Sequence, residues 1–182
     1  MAANMALKRA AKANRRKAIV AEKRKSELLS NSPLAQVLRA AQAPIRHCVV
    51  SDDLFRAGMG IVMLTRGASF ELAIGGFLVD MLGRGVKDSY FQRAAADTVE
   101  GMLARMRSES PITAVDPSYA RKLLREAAAW AQSHGSAPHR DYAMVERLFG
   151  DVSADACDTT FQFGAIGGEM GSDPVSPQLI AC

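Results

Sequence analysis

The densest set of residues able to do chemistry is "VDMLGRGVKDS", Val79 to Ser89. Gly83 and Gly85 are spaced to turn backbone N–H groups toward a phosphate, with Arg84 and Lys87 adding positive charge. If the chain is an enzyme, Asp80 and Asp88 on either side of Lys87 would supply its acid, base or metal ligand. The full phosphate-binding fingerprints are absent, since neither GKS or GKT nor GxGxxG occurs. The structural alternative is a strand-to-helix turn in which Asp88 or Ser89 caps the next helix. The spacing favours this alternative, because a cap accounts for Asp88 without further assumption.

Other constellations are weaker. His134, His139 and Asp141 lie around one loop with Cys157 further on, all of them residue types that bind zinc. Their spacing matches no recognised ligand pattern, so no metal and no cofactor is expected. No GxSxG occurs, and Cys48 beside His47 is no dyad, because neighbours on a strand point to opposite faces. Cys48 is expected in the core. Trp130 and Tyr119 sit on one helical pattern without the basic–aromatic interleaving that stacks bases. No catalytic residue is therefore assigned.

Charge is distributed unevenly. "ALKRAAKANRRKAIVAEKRK", Ala6 to Lys25, holds nine Lys or Arg and one Glu, so residues 1–29 carry +7 and the remaining residues −3 within a total of +4. The nine are Lys8, Arg9, Lys12, Arg15, Arg16, Lys17, Lys23, Arg24 and Lys25. A partner rich in phosphate is drawn to that end. Ala, Lys and Arg favour helix, and no Gly or Pro interrupts residues 1–32, but the scattered Leu7, Ile19 and Val20 give little to bury. Such an arm needs a partner to hold it.

The three cysteines are far apart, which gives neither a disulfide framework nor a zinc knuckle and suits a reducing compartment. The longest apolar run, Leu72 to Leu82, is broken by Asp80 and too short to span a bilayer, so no membrane insertion is expected. No secretory signal fits. A mitochondrial transit peptide is the minor alternative, because no acidic residue precedes Glu22; the lack of Ser before Ser26 and of an apolar face speaks against it.

Ser32 and Pro33 are placed to start a short helix carrying Leu34, Val37 and Leu38. "RHCVVS" predicts a strand and "DDLFRAGMG" a turn or short helical bend. Ile61–Thr65 and Phe70–Met81 predict a hairpin joined by "RGAS". Phe70, Leu72 and Ile74 have one parity and Phe77 and Val79 the other, so a bulge at Gly75-Gly76 is expected to restore one face. Residues 88–107 predict a helix through Phe91, Ala95, Val99, Met102, Leu103 and Met106. Asp116 as N-cap, Pro117 at the first position and Gly135 as stop bound a second helix, buried through Ala120, Leu123, Leu124, Ala127, Ala128 and Ala131. A shorter helix covers 141–149, with Tyr142, Val145 and Phe149 inward, and "TTFQFG" is expected to add a strand. The fold class is α+β, a small antiparallel sheet packed with several helices and preceded by a basic helical arm. The expected organisation is an arm at 1–32, a globular domain at 33–164 and an extended Gly/Pro/Ser-rich tail at 165–182.

Three stretches, "LFRAGMGIVML", "GGFLVDMLGRGVKDSYF" and the run from Asp116 to Gly164, together resemble an uncharacterised family of small bacterial proteins. Some proteins of that type carry a cysteine-rich zinc module like the one at the tail of the translocation ATPase SecA. The likeness covers roughly Cys48 to Gly164; the cysteine cluster is absent here, so no zinc role carries over. The resemblance implies a bacterial cytoplasmic setting and a compact body, and no activity.

The functional expectation is therefore a noncatalytic RNA-binding or ribosome-associated accessory protein whose arm contacts phosphates, with ribosomal RNA as the partner. Two alternatives belong to other classes. One is a small enzyme or ligand-binding domain with a site near residues 80–88. The other is an adaptor whose arm docks on an acidic protein or anionic lipid surface.

Overall fold

The computed structural model of the protein describes residues 15–17, 19–24, 31–68 and 70–164. The chain divides into two compact units, Met1–Gln36 and Val37–Cys182. In the first, residues 15–17 and 19–24 are helical (α1) and exposed throughout. The tail at 165–182, and Lys8, Arg9, Lys12 and Lys25 of the arm, lie outside the described residues. Helix α2, Pro33–Ala40, starts as its sequence predicts, with the Ser32 hydroxyl accepting from the Ala35 N–H at 3.2 Å.

The second unit is built on five antiparallel strands in the order β4-β3-β2-β1-β5: β1 Ile45–Ser51, β2 Met59–Arg66, β3 Glu71–Asp80, β4 Gly85–Ala95 and β5 Ile112–Ala114. A short helix α3, Asp53–Ala57, links β1 to β2 and ends on Gly58, whose φ is +75°. The other helices are α4, Ala96–Glu109; α5, Pro117–Ser133; and α6, Tyr142–Val145, which tightens into a 3₁₀ turn, Glu146–Phe149. A last 3₁₀ turn is Ala154–Ala156. Among the described residues no helix is long and apolar enough to cross a membrane.

Both faces of the sheet are covered. Val62 and Leu64 of β2 and Phe77 of β3 pack with Leu123, Leu124 and Ala127 of α5 and with Val145, Leu148 and Phe149. Met63, Leu72 and Ile74, of the opposite parity, pack on Val99 and Leu103 of α4. That arrangement corrects the expected bulge. The β2–β3 register runs unbroken from Met59↔Asp80 to Arg66↔Ala73, straight through Gly75 and Gly76. With helices on both sides, apolar residues of either parity are buried and nothing has to be restored to one face. The glycines instead admit neighbours: the Tyr90 ring occupies the place of a Gly76 side chain, and on the other face Leu148 and Val145 approach Gly75. The irregularity lies later, between Leu78/Val79 and β4, where Leu78 faces Asp88, Val79 faces Val86, and Lys87 is extra.

Two more expectations fail for stated reasons. Residues 88–95 are not the start of a helix but the bulk of β4, paired with β3 from Leu78↔Asp88 to Glu71↔Ala95. Phe91 and Ala95 fall at helical spacing from Val99, but β4 is an edge strand, whose polar outer residues blur its own two-residue period. "TTFQFG" forms no strand; it is an extended strap laid along α5. Phe161 meets Tyr119 edge-on at 5.0 Å between centroids and Phe163 stacks on Trp130 at 6.0 Å. Lys122 Nζ donates to the Cys157 carbonyl at 2.9 Å, and the Gly164 N–H donates to the Met81 carbonyl at 2.8 Å.

Candidate functional site

The turn between β3 and β4 is held by Asp80. Its Oδ1 accepts the N–H groups of Leu82 at 2.9 Å and Gly83 at 3.0 Å, and its Oδ2 that of Arg84 at 3.2 Å. The chain's own carboxylate thus sits where a phosphate would be cradled, and those donors are satisfied before any ligand arrives. Gly85 is required for a different reason. Its φ is +61°, and a Cβ there would collide with the Ala127 carbonyl of α5. Gly83 meets nothing closer than Asp80 Oδ2 at 3.6 Å from its missing Cβ. Lys87 is exposed on the bulge.

Asp88 does not cap a helix. It points from β4 toward the loop after α5, where Oδ1 lies 3.5 Å from His139 Nε2. The neighbouring Ser89 Oγ is 3.2 Å from His139 Nδ1, and Asp141 Oδ2 is 3.9 Å from the same nitrogen. The structure therefore joins Asp88, from the candidate catalytic set, with His139 and Asp141, from the candidate metal set, and leaves Asp80 in its own turn. The Asp141 N–H donates to Nδ1 at 3.3 Å, so the neutral ring carries its proton on Nε2, on the side of Asp88.

A hydroxyl, an imidazole and a carboxylate in series are the parts of a nucleophile and base. Here Ser89 is only 2% exposed, and the imidazole lone pair is taken by a backbone N–H. A reacting carbon has no approach. The His139 N–H also donates to the Val86 carbonyl at 2.9 Å, so the cluster fastens residues 136–141 to the outer edge of β4. Burial first, and then the Asp88 carboxylate, hold the Tyr90 phenol above its ordinary value.

The rest of the metal set is dispersed. The His134 ring packs on Trp130 at 4.5 Å between centroids and lies 2.8 Å from the Trp130 carbonyl, whereas Cys157 is buried elsewhere. Among the described residues no group of three or more His, Cys, Asp or Glu is arranged to hold a metal ion. Cys48 lies in the core, where burial, and secondarily Asp116, push its thiol up to about 12. His47 points to the opposite face, with Nε2 3.0 Å from Glu100 Oε1 but not aligned for a hydrogen bond.

Of the arm's cations, Arg15, Arg16, Lys17, Lys23 and Arg24 are described, all on the exposed helix α1. The same helix shows Ile19 at 59% exposure and Val20 at 50%.

The chain matches no protein-family model, no curated protein and no solved structure. None of these comparisons bears on the resemblance to small bacterial proteins. Sequence reasoning overlooked Arg66, which ends β2 almost fully buried; the signal was a cation closing the apolar run "GIVMLTR".

Proposed function

We propose that the protein is a noncatalytic RNA-binding accessory protein that associates with ribosomes through its N-terminal arm. One observation carries this reading: within the Met1–Gln36 unit, every described residue of α1 is exposed, its apolar pair Ile19 and Val20 included. A helix whose described residues are all exposed gains little from packing, and contact of its cations with phosphates is what would fix it. Each neutralised phosphate releases counterions, which gives tight, salt-sensitive and sequence-tolerant binding. The clasp at His139 presents no accessible nucleophile, because Ser89 is buried and the Nδ1 lone pair is taken by the Asp141 N–H. A bacterial cytoplasmic setting belongs to the same proposal.

The test is sedimentation of the full chain with ribosomes through sucrose at low and high salt, beside a variant with Arg15, Arg16, Lys17, Lys23 and Arg24 changed to Gln. Co-migration of the natural chain alone, released by high salt, is the expected result. Co-migration of both forms, or of neither, would remove the proposal. Binding instead to vesicles of anionic lipid or to an acidic protein would favour the adaptor reading.

A further inference from the structure

Arg66, the last residue of β2, is 5% exposed. Its Nη1 donates to the Ala43 carbonyl and its Nη2 to the Phe149 carbonyl, each at 2.6 Å. The Phe149 carbonyl closes the 3₁₀ turn after α6, an end at which a cation is favoured, and Ala43 lies in the turn three residues past α2. The two carbonyls engage two of the five N–H groups of a guanidinium. Nε is buried with no partner. The nearest carboxylate, Asp151, has Oδ1 4.0 Å from Nη2, beyond hydrogen-bond reach, and its side chain is wholly exposed. Desolvation draws the guanidinium below its ordinary value, Asp151 partly restores it, and Arg121 adds a second nearby positive charge.

This under-compensated cation lines a half-open depression of about 430 Å³ with Ala41, Gln42, Ala43, Pro44 and Asp151. Gly150 stands beside it with φ +63°; a side chain there would begin 3.3 Å from Nη2 and 2.9 Å from the Ala41 carbonyl. A side chain there would crowd Nη2 from that side.

We propose that the depression binds a small oxyanion, a phosphate or carboxylate group, on Arg66, and that Asp151 is the tethered carboxylate which the ligand displaces. The planar fork of N–H groups matches two oxygens of such a group. Burial lowers the local dielectric and strengthens the contact. Asp151 is placed to compete: it is close enough to feel the charge and, being fully exposed, free to swing away. The site lies wholly within the Val37–Cys182 unit and does not rest on the RNA reading.

The test follows the Nε–H resonance of Arg66 in the ¹⁵N-labelled full chain during separate titrations with inorganic phosphate and with acetate, at constant ionic strength in chloride. A saturable shift is expected with at least one of them, and which one responds identifies the oxyanion class. Asp151→Asn should bind about twofold to fivefold more tightly, because it removes an exposed competitor worth no more than a surface ion pair. Arg66→Lys should lose the saturable response as followed on the Gly150 amide. That variant removes a buried staple; if it fails to fold, the Asp151→Asn comparison alone decides. A response that does not saturate with either anion, or equal affinity in the natural chain and Asp151→Asn, would overturn the proposal.

Discussion

At the scale of single residues, the two glycines of the β3–β4 turn separate structure from ligand binding. In a phosphate cradle both would be needed, whereas the structure requires only Gly85. Gly85→Ala should therefore lower stability by about 2–3 kcal/mol, the combined effect of left-handed backbone and collision with α5. Gly83→Ala should stay within about 0.5 kcal/mol. Urea unfolding of the two variants checks this, and equal losses would mean that the turn is held by something other than its packing on α5. Titration gives a second residue-scale prediction. The Cys48 thiol is raised by burial from 9.0 to about 12, and the Tyr119 phenol, by burial and then Cys157, from 10.0 to about 12. Between those limits the folded chain binds more protons than the unfolded one, so stability is fully present below pH 9 and falls as pH rises toward 12. Cys48→Ala should flatten the early part of that fall in pH-dependent thermal melts; an unchanged slope would show that burial does not raise the thiol above its unfolded value.

At the scale of elements, legibility followed the range of the interactions. Helix α5 was readable in full, because its stripe, its Asp116 cap and its Pro117 are all local, and the Asp116 carboxylate accepts the Ser118 N–H at 2.7 Å as that pattern implies. The Asp80 turn was readable in principle, since an Asp accepting N–H groups two and three residues ahead is a local signature. The meeting of Ser89 with His139 was not, being set by how a loop fifty residues away returns to the sheet. Nor were the two covered faces of β3, which depend on where α4 packs, or the three-residue β5, too short for any period. The strap shows the same limit: Phe161 and Phe163 alternate like a strand because an extended chain does so whether it borders a sheet or a helix. Its prediction uses the single Trp. Phe163→Ala should shift Trp130 emission to the red below the global melting temperature and leave far-ultraviolet helicity unchanged, with a loss of about 1–2 kcal/mol. Phe161→Ala, whose ring faces Tyr119 more closely, should move that emission less. Equal and large loss of helicity in both would mean that the strap is integral to the fold rather than laid upon it.

At the scale of the whole molecule, the sequence places +7 at one end and −3 on the rest, so a polyanion is attracted by the first and repelled by the second. Association with RNA should then depend on the arm far more steeply than on any residue of the body. The quantity that reports this is the slope of log affinity against log salt, which falls by about 0.7 for each phosphate neutralised on single-stranded RNA. Changing Arg15, Arg16, Lys17, Lys23 and Arg24 to Gln should make that slope shallower by up to about 3.5 if each meets a phosphate. Reversing an equal number of exposed charges on the body, at Arg93, Arg105, Arg107, Arg125 and Arg140, should leave the slope nearly unchanged while weakening binding modestly. Fluorescence anisotropy with a single-stranded RNA over a range of salt separates the two. A slope that responds to the body variants as strongly as to the arm variants would spread the contact over both units and refute an arm-borne anchor. A slope near zero in the natural chain would refute phosphate contact altogether, because counterion release is the one contribution that every electrostatic RNA contact must show.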